Sequence, residues 1–111
     1  MLADVTAHAL PMVAGEDALC GTYHAAAGGT TTWYDYAQAV IADARAAGWP
    51  VRVAKDRIVP VPTSAYPLPA RRPRNSRMDC RKLESTFDLR LPPWEDGVRR
   101  AVAELTARWN K

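Results

Sequence analysis

The chain has 111 residues, one domain at most, and 48% of them are hydrophobic, so it can bury a core and is not compositionally disordered. The net charge is +3 with a pI near 9.1, a mild basic excess. No run of eighteen apolar residues is present to span a membrane, and "MLADVTAHAL" at the N-terminus has neither the basic region nor the long apolar stretch of a secretory signal.

Leu2, Val5, Ala9 and Val13 recur at helical spacing, so the chain opens in a helix, with no Ser, Thr, Asp or Asn ahead of it to cap it. After Gly15 and Gly21, "TYHAAA" (Thr22 to Ala27) predicts a short buried strand that Gly28 and Gly29 end. Trp33, Tyr36, Ala37, Val40, Ile41 and Ala44 then form one apolar stripe, the clearest helix of the chain. Thr32 and Asp35 have the spacing of a capping box, with Asp in the Glu/Gln position, and Gly48 with Pro50 beyond it closes the helix. "VRVAKDRIVPVP" alternates in part and predicts a second short strand near Ile58 to Val61, which Pro60 and Pro62 confine to an edge.

"TSAYPLPARRPRNSRMD" (Thr63 to Asp79) follows, with no helical or strand period. Loops this long are uncommon in compact domains and are functional or disordered. Asp79 can cap a short helix through Phe87. Pro92 and Pro93 precede a final helix, Pro93 suiting its first turn, whose apolar face is Trp94, Val98, Ala101, Val102, Leu105 and Trp109. The fold class is therefore α/β, a mostly helical fragment with two short strands. Two strands alone make a marginal sheet, so the pattern is that of a piece that leans on something larger.

The search for chemistry returns mostly negatives. The glycines at 15, 21, 28, 29, 48 and 97 do not make the GxGxxG turn that brings a backbone close to a dinucleotide pyrophosphate. No tyrosine has a lysine four residues on. His8 and His24 have no Ser or Cys partner in a recognisable motif, and a lone histidine such as His24 reads as structural. Cys20 and Cys80 are far apart with no metal spacing, and read as two free thiols of a cytosolic protein. The positive signal is basic: Arg71, Arg72, Arg74, Arg77, Arg81 and Lys82 fall within twelve residues. Guanidinium forks grip phosphate oxygens in pairs, Asn75 and Ser76 add neutral donors for ribose or phosphate, and Pro67, Pro69 and Pro73 stiffen the backbone. The bland alternative is a solvated basic run. Nucleic-acid binding is disfavoured, because no aromatics interleave with the cluster and no recognition motif accompanies it.

"VPVPTSAYPLPARRPRNSRMD", with "GTYHAAAGGTTTWYDYAQAVIADARAAG" before it and "LRLPPWEDGVRRAVAEL" after it, resembles the C-terminal part of the dTDP-4-dehydrorhamnose reductase family, from about Leu2 to Leu105. That family belongs to the extended short-chain dehydrogenases. The resemblance implies a single C-terminal substrate-binding subdomain over residues 1–111, with the NAD(P)-binding Rossmann domain absent. It implies reduction of dTDP-6-deoxy-L-lyxo-4-hexulose to dTDP-L-rhamnose with NADPH or NADH by the complete cytoplasmic enzyme, and an inactive chain when alone. By the family pattern Arg72, opening "RPRN", meets phosphate and Asn75 meets ribose, with Arg71 and Ser76 beside them. Catalytic and cofactor-binding residues cannot be carried over, because their motifs are not in this sequence. Glu104 in "AEL" matches a Mg2+ ligand that some members place at a dimer interface. The implied partners are the dTDP-sugar nucleotide and either a separately encoded Rossmann domain or a homodimer. A non-catalytic binding or regulatory homologue is the alternative.

Overall fold

A computed structural model describes residues 1–65, 69–70 and 73–109. Among these residues four α-helices form in chain order: α1 (Leu2–Val13), α2 (Trp33–Ala46), α3 (Arg81–Thr86) and α4 (Trp94–Trp109). The chain divides into two compact units. The first is Met1–Gly29 with Arg77–Trp94, and the second is Thr30–Ser76 with Glu95–Lys111.

The first unit is built on Leu83, Phe87 and Leu91, all buried. Val5, Ala9 and Val13, the predicted stripe of α1, pack against this cluster with Leu19, Tyr23 and Ala25. As the sequence implies, no side chain caps α1; the terminal amine pairs with Asp4 at 2.8 Å. Phe87 is the centre, 2% exposed. The Tyr23 ring tilts against it with centroids 5.1 Å apart, and the Tyr23 hydroxyl donates to the Leu19 carbonyl at 2.7 Å. His8 Nε2 donates to the Phe87 carbonyl at 2.8 Å, so this histidine ties α1 to the end of α3. Asp88 then turns with φ +46°, and the Leu89 amide reaches back to the Glu84 carbonyl at 3.1 Å, a left-handed closure usually made by glycine.

Gly28 and Gly29 dock the "LPPW" segment. The Gly28 amide donates to Pro92 O at 2.8 Å, and the Trp94 amide donates to Gly28 O at 3.0 Å, an isolated parallel bridge between Gly28 and Pro93. A Cβ on Gly28 would lie 2.9 Å from the Leu91 carbonyl, closer than a side chain tolerates. Gly29 holds φ +89° with the Trp94 ring against it.

In the second unit Thr32 caps α2: its hydroxyl oxygen accepts from the Asp35 amide at 3.1 Å. The reciprocal half of the predicted capping box is altered. The Asp35 carboxylate, one methylene shorter than Glu, accepts from the Thr32 hydroxyl at 2.7 Å. The helix ends as predicted at Gly48, with φ +82°. The Gly48 amide bonds Arg45 O and the Trp49 amide bonds Ala44 O, both at 3.0 Å, the paired bonds of a Schellman closure. Arg45 also donates to the Val53 carbonyl. The Trp49 indole donates to the Thr106 hydroxyl at 2.6 Å and its ring lies 5.6 Å from that of Trp109. Val98 and Val102 of the predicted α4 face are buried, whereas Leu105 and Trp109 are exposed. On α2, Trp33 is 82% exposed and Val40 and Ile41 are half-buried, so the apolar stripe is only partly covered.

Neither predicted strand forms; among the described residues there is no β-strand, and the fold is mostly helical. A strand is a pairing, not a local conformation. Thr22 to Ala27 runs without turn or bend, yet no second segment of the described chain lies along it to complete a ladder. Residues 58 to 61 likewise stay unpaired, between short 3₁₀ turns at Lys55–Arg57 and Thr63–Ala65.

Candidate functional site

The loop that the sequence singles out begins with the turn Thr63–Ala65, where the Ala65 amide bonds Pro62 O at 2.9 Å. Arg72, expected to meet phosphate, and Arg71 beside it lie outside the described residues, as do Tyr66, Pro67 and Leu68. Pro73, Arg74, Asn75, Ser76 and Arg77 are all exposed.

The basic cluster divides at Asp79. Its carboxylate accepts from Arg81 Nε at 2.9 Å, from the Arg81 terminal nitrogen at 2.5 Å and from the Arg81 backbone amide at 3.1 Å. Asp79 was expected to cap the short helix; α3 instead starts at Arg81 with Cys80 in the cap position and no side-chain cap, and Asp79, one residue further out, accepts from the Arg81 amide. The Arg81 side chain, then its amide, hold the Asp79 carboxyl down at about 2, from an ordinary 3.8. Lys82 donates to the Thr22 carbonyl at 3.0 Å and sits 4.4 Å above the Tyr23 ring. These two cations brace the first unit and are engaged before any ligand arrives. The signal was present in the sequence as an acid two residues ahead of Arg81, but a count of charges hides it.

The Asp79–Arg81 pair gives a pH prediction. A carboxyl depressed in the folded state stabilises above its unfolded value and loses that contribution as pH falls through the folded value. Unfolding midpoints in urea should therefore drop between about pH 4 and pH 2, and Asp79→Asn should remove part of that drop while slightly lowering the midpoint near neutrality. The effect is small, because both groups are exposed and solvent screens them. An identical pH profile for both proteins would show that the pair contributes nothing in solution.

Cys20 and Cys80 are free thiols, as expected. Glu104 lies exposed on α4. Mg2+ takes six oxygen ligands, and among the described residues no group of three His, Cys, Asp or Glu gathers that could hold an ion, so Glu104 does not by itself form a metal centre. His24 is exposed. An apolar groove of about 330 Å³ opens in the first unit beside α1, lined by Val5, Ala9, Leu10, Leu19, Tyr23 and Phe87 among others. Among the described residues no helix is long and apolar enough to cross a membrane.

Residues 1–107 match the family described as the RmlD substrate binding domain. The chain is 50% identical over 105 residues to the dTDP-4-dehydrorhamnose reductase of Shigella flexneri, and 50% identical to that of Escherichia coli strain K12, an alignment that covers 95% of this chain and 34% of each relative. The protein of the same name from Burkholderia thailandensis is 41% identical over 111 residues, covering 96% of this chain and 37% of the relative. The chain thus spans about a third of the length of these curated relatives. It belongs to the RmlD substrate binding domain family.

Proposed function

We propose that this chain is the nucleotide-sugar-binding portion of a dTDP-4-dehydrorhamnose reductase, which reduces dTDP-6-deoxy-L-lyxo-4-hexulose to dTDP-L-rhamnose. The observation that carries the reading is the alignment at 50% identity along 95% of the chain with relatives of that name. Arg72, supported by Arg71, grips the diphosphate; Asn75 and Ser76 meet the ribose and the neighbouring phosphate oxygens. The exposure of Asn75 and Ser76 supports the reading, as does the engagement of Arg81 and Lys82 in structural contacts. These 111 residues hold no dinucleotide turn and no Tyr/Lys couple, so NADPH or NADH and the proton donor belong to a Rossmann-type portion that works with this one. The enzyme acts in the cytoplasm, where its sugar nucleotide is made and used, and the 111-residue chain does not turn over alone.

The test uses a chimera in which the N-terminal two thirds of the Escherichia coli relative are joined to this chain. Calorimetric titration with dTDP-L-rhamnose should show binding. Replacing residues 69–77 with a Gly/Ser segment of equal length should weaken it at least about tenfold, since a hydrogen bond to a charged group is worth roughly 1.5–3 kcal/mol. Unchanged affinity would remove the loop from the binding site.

A further inference from the structure

Asn75 and Ser76 stand at the end of the second unit, where the chain passes on to the first. Both are exposed, and neither belongs to a helix, a turn or a paired strand. Among the described residues the Ser76 amide donates to no carbonyl or side chain. Ser76 has no branch at Cβ to crowd that nitrogen. Under these conditions the backbone of one residue attacks the side chain of the asparagine before it. The Ser76 amide gives its proton to solvent base, and its nitrogen bonds to Asn75 Cγ. The Cγ–Nδ2 bond breaks and ammonia leaves. Water then opens the cyclic succinimide at either carbonyl, leaving aspartate or isoaspartate. Helices and ladders suppress this step, because they hold the amide in a hydrogen bond and fix the dihedrals that ring closure must change. Asparagine counts among the thermolabile residues. Arg74, exposed and next in sequence, favours the step, since a nearby cation stabilises the amide anion that attacks.

We propose that Asn75–Ser76 is a site of spontaneous deamidation, through which the basic loop ages from a neutral amide to a carboxylate and loses its hold on the sugar nucleotide. The chemistry of the site stands on its own, whereas the loss of binding rests on the proposed function. There Asn75 meets the ribose beside a diphosphate, and a carboxylate at that place repels the same ligand.

The chimera with the Escherichia coli N-terminal portion is incubated at mildly alkaline pH and sampled over weeks. Cleavage before aspartate releases residues 56–78 as one peptide, apart from Asn110, the other asparagine of the chain. That peptide should gain the mass of an amide-to-acid exchange. New cleavage ahead of residue 75 marks the aspartate product, and isoaspartate resists it. Ser76→Ile, whose branched side chain crowds the attacking nitrogen, should slow the conversion at least about tenfold. No mass gain in this peptide, or an equal rate in Ser76→Ile, would overturn the site. Calorimetric titration with dTDP-L-rhamnose is scored separately, on fresh chimera, on converted chimera and on Asn75→Asp. Conversion and substitution should each weaken binding at least about tenfold. Conversion with unchanged affinity overturns the loss of hold and takes Asn75 out of the binding site. A fresh chimera that gains the mass but never binds the nucleotide sinks the functional reading and keeps the deamidation site.

Discussion

Replacing Phe87 by alanine is expected to cost about 3–5 kcal/mol of stability, the largest effect of any single change in the first unit. Phe87 is 2% exposed and is the point where α1, α3 and the Tyr23 segment converge. Its ring meets the tilted Tyr23 ring and its carbonyl holds His8, so truncation opens a cavity that three separate elements must close over. Domains of this size have about 5–15 kcal/mol in total, so the variant should unfold at a much lower urea concentration. Leu105→Ala is the matched control: Leu105 is 52% exposed on α4, and its loss should stay within about 0.5 kcal/mol. A Phe87→Ala midpoint close to wild type would mean that the buried cluster does not organise this unit.

Arg72→Ala should raise the Michaelis constant of the chimera for the 4-keto sugar nucleotide by about tenfold to a hundredfold, the loss expected for a charge-assisted hydrogen bond to phosphate. The constant for NADPH should move little, because the arginine serves the sugar-nucleotide side. Arg74→Ala, at an exposed position in the same run, should be nearly neutral. Equal, small effects at both positions would return the whole stretch to a solvated basic segment.

Helices were legible in the sequence because their signals are local. The α2 stripe, the Thr32 cap and the Gly48 closure are all written within a few residues of where they act. The stripe of α1 also reads correctly, including the absence of a side-chain cap. Strands were not legible, because pairing joins distant segments. The segment "TYHAAA" reads as a short buried strand, and nothing in it says whether a neighbour is within reach. A bridge just beyond it joins Gly28 to Pro93, and the local trace of that contact is Gly28 itself, where a Cβ would lie 2.9 Å from the Leu91 carbonyl. Pro93, expected in the first turn of the last helix, sits just ahead of it for the same reason. In the candidate site, charge density marked the right region but could not divide it. The sequence groups Arg81 and Lys82 with the loop arginines, whereas Asp79 and Tyr23 claim them for the fold.

The central claim is that this chain supplies sugar-nucleotide recognition and depends on a further portion for the chemistry. It is tested most directly by following NADPH absorbance with the 4-keto sugar nucleotide, first for the 111-residue chain alone and then for the chimera. The chain alone should show no enzyme-dependent oxidation, since it has neither a pyrophosphate cradle nor a tyrosine–lysine couple. The chimera should turn over steadily. Sustained NADPH oxidation by the chain alone, or a folded chimera that never oxidises it, would contradict the account.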